Sequence, residues 1–214
     1  MSNLESIYKA PVSDLVIKEE LPEGFLYGVF TSKNLKNLTY LSFFYLILMI
    51  PLIGISFMSG FEPDNYFYGK ATNVLTVIGT VIFIYLLVMF KALINHRFEF
   101  HGANRYISIL IGLTFIMTVV SLFMPANPQE MDIVTISYFV LMVPLGIITI
   151  LFGKRLLSIE TEYNYLKLYS WSSIITGVCL ATVVLFLLAL PLSLVSSFAM
   201  AMLFLTASNE LEGA

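Results

Sequence analysis

The residues best equipped for chemistry lie together in Phe90 to Arg105, FKALINHRFEFHGANR, which holds His96, Glu99 and His101 beside Lys91, Arg97 and Arg105. Imidazoles and carboxylates are common metal ligands and general acids or bases. The spacing His-x-x-Glu-x-His sets the histidines five apart, off one helical face, whereas metal pairs on helices prefer four. His96, Glu99 and His101 therefore read as solvated side chains at an interface, and no metal, cofactor or catalytic residue is assigned. A serine nucleophile such as Ser172 or Ser197 has no histidine base within its own apolar stretch. Cys179 is the only cysteine, so one chain cannot build a disulfide, a zinc knuckle or a dithiol redox site.

The elements that must position these residues are apolar. The 214 residues are 58% hydrophobic and 12% charged. A soluble domain carries about a quarter of its residues as charges, so most of this surface is expected to face lipid. The 11 Lys and Arg are scattered among loops without a basic patch, which argues against a nucleic-acid partner. The expected partners are the lipid bilayer and other membrane protein subunits or a second copy of the chain.

Apolar runs long enough to cross a bilayer fall at about 40–58, 73–90, 106–124 and 133–152. From Tyr169 to Ala207 no charge occurs. That run is too long for one span, and Pro191 in ALPLSL is its one turn signal, which predicts two further spans at about 170–190 and 194–206. The fold class expected is thus all-α and integral to the membrane, with six transmembrane helices as three tandem helical hairpins within 38–208. Residues 1–23 form a polar cytoplasmic tail and 209–214 a short C-terminal one. In the interfacial segment 24–37, Phe25, Tyr27 and Phe30 are expected to seat their rings among headgroups.

Charge sets the orientation. With six spans, one side carries Lys33, Lys36, Lys91, Arg97, Arg105, Lys154, Arg155 and Lys167, and the other only Lys70. The positive side is expected to be cytoplasmic, with both termini inside. A weak repeat follows the hairpins: Tyr40-Leu41-Ser42, Tyr106-Ile107-Ser108 and Tyr165-Leu166-Lys167, each preceded by Asn37, Asn104 or Asn164.

The N-terminal stretch Tyr8-Lys9-Ala10-Pro11-Val12-Ser13-Asp14-Leu15 resembles the Tyr-x-Ala-Pro-x-x-x-Leu segment of uncharacterised multi-span bacterial inner-membrane proteins. The resemblance covers eight residues. It implies a bacterial source, a place in the cytoplasmic membrane, and an exposed tail whose Tyr8, Ala10, Pro11 and Leu15 would dock on a partner. It implies no activity.

None of the six expected span cores contains Asp, Glu, Lys, Arg or His. Pumps and ion-coupled transporters usually need an intramembrane ionisable group, and haem within a bundle needs a histidine at depth. The polar groups that remain are hydroxyls, including Ser170, Ser172, Ser173 and Thr176, with Ser193, Ser196, Ser197 and Ala199 as a helix-packing face. Gly54, Gly79, Gly112, Gly146 and Gly177 mark places where backbones approach. The function expected is a non-enzymatic accessory or scaffold subunit of a larger bacterial inner-membrane assembly. The competing reading is a carrier or channel for a neutral or lipidic solute, which predicts a wet cavity near Pro51 and Pro144.

Overall fold

Long apolar segments without internal partners for their peptide groups must satisfy every N–H and C=O within the segment, and the α-helix does so. The computed structural model describes residues 21–26, 28, 30–61, 66–124, 132–161, 163–183 and 185–213. These form a short α1 (Glu23–Leu26) and six long helices: α2 (Ser32–Phe61), α3 (Tyr66–Arg97), α4 (Asn104–Leu122), α5 (Ile133–Leu157), α6 (Asn164–Ala181) and α7 (Phe186–Glu212). No strand occurs among the described residues. Five of the long helices are extended and apolar enough to cross a membrane; α6, with its serines, Asn164 and Lys167, is not among them.

Each long helix packs on the next in sequence, and α7 returns to pack on α2, so the six close into a ring. The tightest seam is α5 against α6. A Cβ on Gly177 would fall 2.7 Å from the Gly146 carbonyl oxygen, and one on Gly153 would fall 2.7 Å from that of Ser170. Only glycine lets the two backbones approach so closely. Gly54 and Gly112, by contrast, have nothing within 4 Å.

All the described Lys and Arg except Lys70 lie near helix ends at one end of the ring, called here the basic end. This end is also where most of the core lies. Phe90, Phe152 and Tyr169, from α3, α5 and α6, meet with ring centroids 4.9–6.2 Å apart. Toward the opposite end α2 and α3 lose their buried contacts: among the described residues, α2 has no buried side chain after Ser42, and α3 no buried residue before Gly79.

Three expectations are corrected. Phe25 and Phe30 lie inside the protein, 0% and 4% exposed, because α1 folds over the basic end against α3 and leaves them no route to headgroups. Tyr27 is outside the described residues. The break expected at Pro191 lies earlier, between the end of α6 at Ala181 and the start of α7 at Phe186, and Val183 there adopts a left-handed φ of 56°. Pro191 sits inside α7, near enough to its start that the lost N–H costs one early hydrogen bond. The expected C-terminal tail continues α7 to Glu212, held there by ion pairs.

Candidate functional site

The ring surrounds a partly open cavity of about 330 Å³ to which all six long helices contribute. Its floor is the aromatic cluster: Phe152 and Tyr169 face the cavity, with Phe90 fully buried beside them. Of its 23 lining residues, 12 carry a hydroxyl and none carries a charge or an imidazole. Tyr45 stacks on Phe83 at 5.8 Å, forming a flat apolar wall between α2 and α3. Met49 and Leu52 flank Pro51, and Leu145 adjoins Pro144, so the cavity reaches the two prolines singled out in the sequence.

Several of these hydroxyls spend their proton on their own helix. Ser173 donates to the Tyr169 carbonyl at 2.7 Å, Thr149 to that of Leu145 at 2.7 Å, and Ser197 to that of Ser193 at 2.8 Å. Such back-bonding satisfies the proton where no water competes and leaves the oxygen lone pairs facing inward. Ser42 and Thr176 differ: their hydroxyls are buried and have no hydrogen-bond partner. Thr80 and Thr118 bridge α3 and α4 at 2.8 Å, and Ser196 donates to Ser172 at 2.8 Å between α7 and α6.

Below the floor, at the basic end, an ionic clasp closes the ring. Arg97 ends α3 with its side chain 5% exposed, and its Nε donates to Glu210 Oε2 of α7 at 2.8 Å. The guanidinium lies 5.3 Å from the Phe98 ring and 5.5 Å from the Tyr163 ring, within cation–π range. Burial pushes the Tyr163 hydroxyl pKa above its ordinary value, the Glu210 carboxylate adds to this, and Arg97 opposes it. Lys36 pairs with Glu212, and Ser32 bonds both Glu212 and Ser208, fastening α2 to α7.

The residues named from sequence fall in several places. His96 packs edge-on against Phe30 at 6.3 Å, Glu99 is exposed at a left-handed φ of 49°, and exposed His101 contacts Asn104 at 3.5 Å. No group of three potential metal ligands occurs among the described residues. Ser193, Ser196 and Ser197 line the cavity, and Ala199 is fully buried within the ring. Cys179 is buried and free. Tyr8, Ala10, Pro11 and Leu15 lie outside the described residues. Sequence reasoning missed the α3–α5 share of the lining, Thr76, Thr80, Thr114 and Thr149. The signal was present as Thr72, Thr76 and Thr80, four apart on one helical face.

Compared with known proteins, the chain matches no family, no curated protein and no solved structure.

Proposed function

We propose that this chain is a carrier or channel for a neutral or lipidic solute. The observation that carries the reading is the uncharged, hydroxyl-lined cavity framed by all six long helices. Binding sites for small molecules are concave, largely apolar and set with a few polar groups, in volumes of about 300–1,000 Å³. An ionic substrate would meet no counter-charge in this lining. In this reading α6 is a sixth span whose serines face the ring, the chain crosses six times, and the basic end with both termini faces the cytoplasm of a bacterial cell. In this reading the aromatic floor and ionic clasp lie on the cytoplasmic side of the cavity.

The accessory-subunit reading stands second. It draws on the outward faces of the ring, which carry exposed Phe44, Val81, Phe115, Val140 and Trp171. Those faces suit lipid as well as a neighbouring helix.

The test is solute flux into proteoliposomes, followed by light scattering with glycerol, 1,2-butanediol and 1,2-cyclohexanediol. At least one solute is expected to cross faster than in protein-free liposomes and to slow again in Thr114→Phe/Thr149→Phe, which fills the cavity. If none does, and a tagged copy instead retains a stoichiometric membrane partner from native membranes, the subunit reading replaces this one.

A further inference from the structure

The outer side of the α5–α6 seam presents a strip that the cavity does not use. Its register is fixed by two close contacts: a Cβ on Gly177 would meet the Gly146 carbonyl oxygen, and one on Gly153 that of Ser170. The numbers rise on one helix as they fall on the other, so the pair is antiparallel. Thus α6 runs beside α5, a helix apolar enough to cross a membrane. In an antiparallel pair, one residue onward from the seam turns about 100° to the same side on both helices. The residue before each seam position lines the cavity: Leu145 and Phe152 on α5, Tyr169 and Thr176 on α6. The residue after each is exposed on the opposite side: Ile147 and Lys154 on α5, Trp171 and Val178 on α6. Lys154 comes about level with Trp171, and exposed Lys167 stands one turn nearer the basic end. Away from that end the strip is apolar, with Ile147, Leu151, Ile175 and Val178 all exposed.

We infer that this strip binds an anionic phospholipid, with Lys154 and Lys167 on the headgroup phosphate and Trp171 at the head of the acyl chains. The two lysines are uncommitted. Arg97 and Lys36 pair with carboxylates of α7, but among the described residues neither Lys154 nor Lys167 makes a hydrogen bond or ion pair. Exposed Glu160, in the connection between α5 and α6, pairs with neither. Basic residues between membrane helices attract anionic headgroups, and tryptophan favours the interface just beneath them. A neighbouring helix on this strip would have to desolvate both ammonium groups, whereas a lipid phosphate meets them at the wet interface.

Trp171 is the only tryptophan, so its fluorescence reports the strip directly. The full chain is reconstituted in phosphatidylcholine bilayers holding a small, equal fraction of brominated phosphatidylglycerol or brominated phosphatidylcholine. The bromines sit near the top of one acyl chain. Phosphatidylglycerol is expected to quench Trp171 as though enriched beside it at least about fivefold, roughly what one lysine contributes at an anionic membrane surface. Lys154→Gln/Lys167→Gln should abolish that enrichment and leave quenching by brominated phosphatidylcholine unchanged. A variant that merely lost its fold around Trp171 would change both. Lys33→Gln/Arg105→Gln, on α2 and α4, should keep the enrichment. Equal quenching by the two lipids overturns the proposal, as does an enrichment that survives Lys154→Gln/Lys167→Gln. Equal loss in both double variants traces the preference to the charge of the whole basic end and overturns the site. Quenching by neither lipid takes the strip out of the bilayer and also overturns it. None of these outcomes bears on solute flux, which tests the cavity separately.

Discussion

Removing the Glu210 carboxylate should destabilise the ring by taking a charged partner from the buried Arg97. The Arg97 side chain is 5% exposed and that of Glu210 27%. Breaking a buried ion pair by deleting one partner costs about 3–5 kcal/mol, because the other charge remains desolvated. Two features reduce the figure here. Water reaches part of the Glu210 site, and the Phe98 and Tyr163 rings still face the guanidinium at 5.3 and 5.5 Å, each contact worth about 0.5–1 kcal/mol or more when desolvated. Glu210→Ala is therefore expected to cost about 2–3 kcal/mol, read by reversible unfolding in mixed micelles titrated with sodium dodecyl sulfate. Glu212→Gln, at the exposed Lys36 pair, should change little. If Glu210→Ala and Glu212→Gln proved equally mild, Glu210 would not be what compensates Arg97 and the clasp would not hold the ring.

Three further outcomes follow from the backbone and the caps. Gly177→Leu drives a side chain into the Gly146 carbonyl and should cost at least about 1–3 kcal/mol or prevent folding, whereas Gly112→Ala meets open space and should be neutral or gain up to about 1 kcal/mol in the same unfolding assay. Val183→Gly releases a β-branched residue from a left-handed φ of 56°, a conformation costing about 1–2 kcal/mol, and should stabilise the α6–α7 turn. Asp132 caps α5 by accepting from the Thr135 N–H at 2.8 Å, which holds its carboxyl below the ordinary carboxylate value. Its contribution is thus fully present above the unfolded pKa and is lost as pH falls through the lower folded one. Asp132→Asn should keep the cap and flatten that acid-side dependence, seen as stability measured from pH 6 down to pH 3.

The helical class was legible because charge is confined to short clusters, and four of the apolar runs correspond to α2 through α5. The last turn was misplaced for a physical reason. Proline does not stop these helices, since Pro51 and Pro144 lie inside α2 and α5 as Pro191 lies inside α7, while the stretch between Ala181 and Phe186 carries no Gly, Pro or Asn. Among the glycines, Gly146 and Gly177 meet at the α5–α6 seam, but Gly54 and Gly112 face nothing, since composition alone does not say which face of a helix meets a neighbour. The hydroxyls of α6 and α7 stood out because they are crowded. Those of α3, α4 and α5 are spread one per turn or fewer, and only closure of the ring brings them together. Arg97 and Glu210 lie 113 residues apart, a distance no local pattern spans.

The cost of the cavity decides how it should be regarded. In a well-packed interior, residual cavity volume costs about 24 cal/mol per Å³. This cavity is partly open, so about 8 kcal/mol is an upper bound that would apply only if all 330 Å³ stayed enclosed and dry. The orphan hydroxyls of Ser42 and Thr176 would add about 1–3 kcal/mol each. A bundle whose task was packing alone would gain by replacing the lining threonines with larger apolar residues. Water or a ligand in the cavity removes much of that penalty, and the hydroxyl lining is the kind that retains either. Thr114→Phe/Thr149→Phe puts the argument to measurement. Filling part of the space should raise unfolding stability by about 0.5–2 kcal/mol while abolishing solute flux, the trade expected where an open site is kept for function. A variant that lost stability as well as flux would mean the cavity is already filled by well-bonded water, and that its volume measures solvation rather than room for a solute.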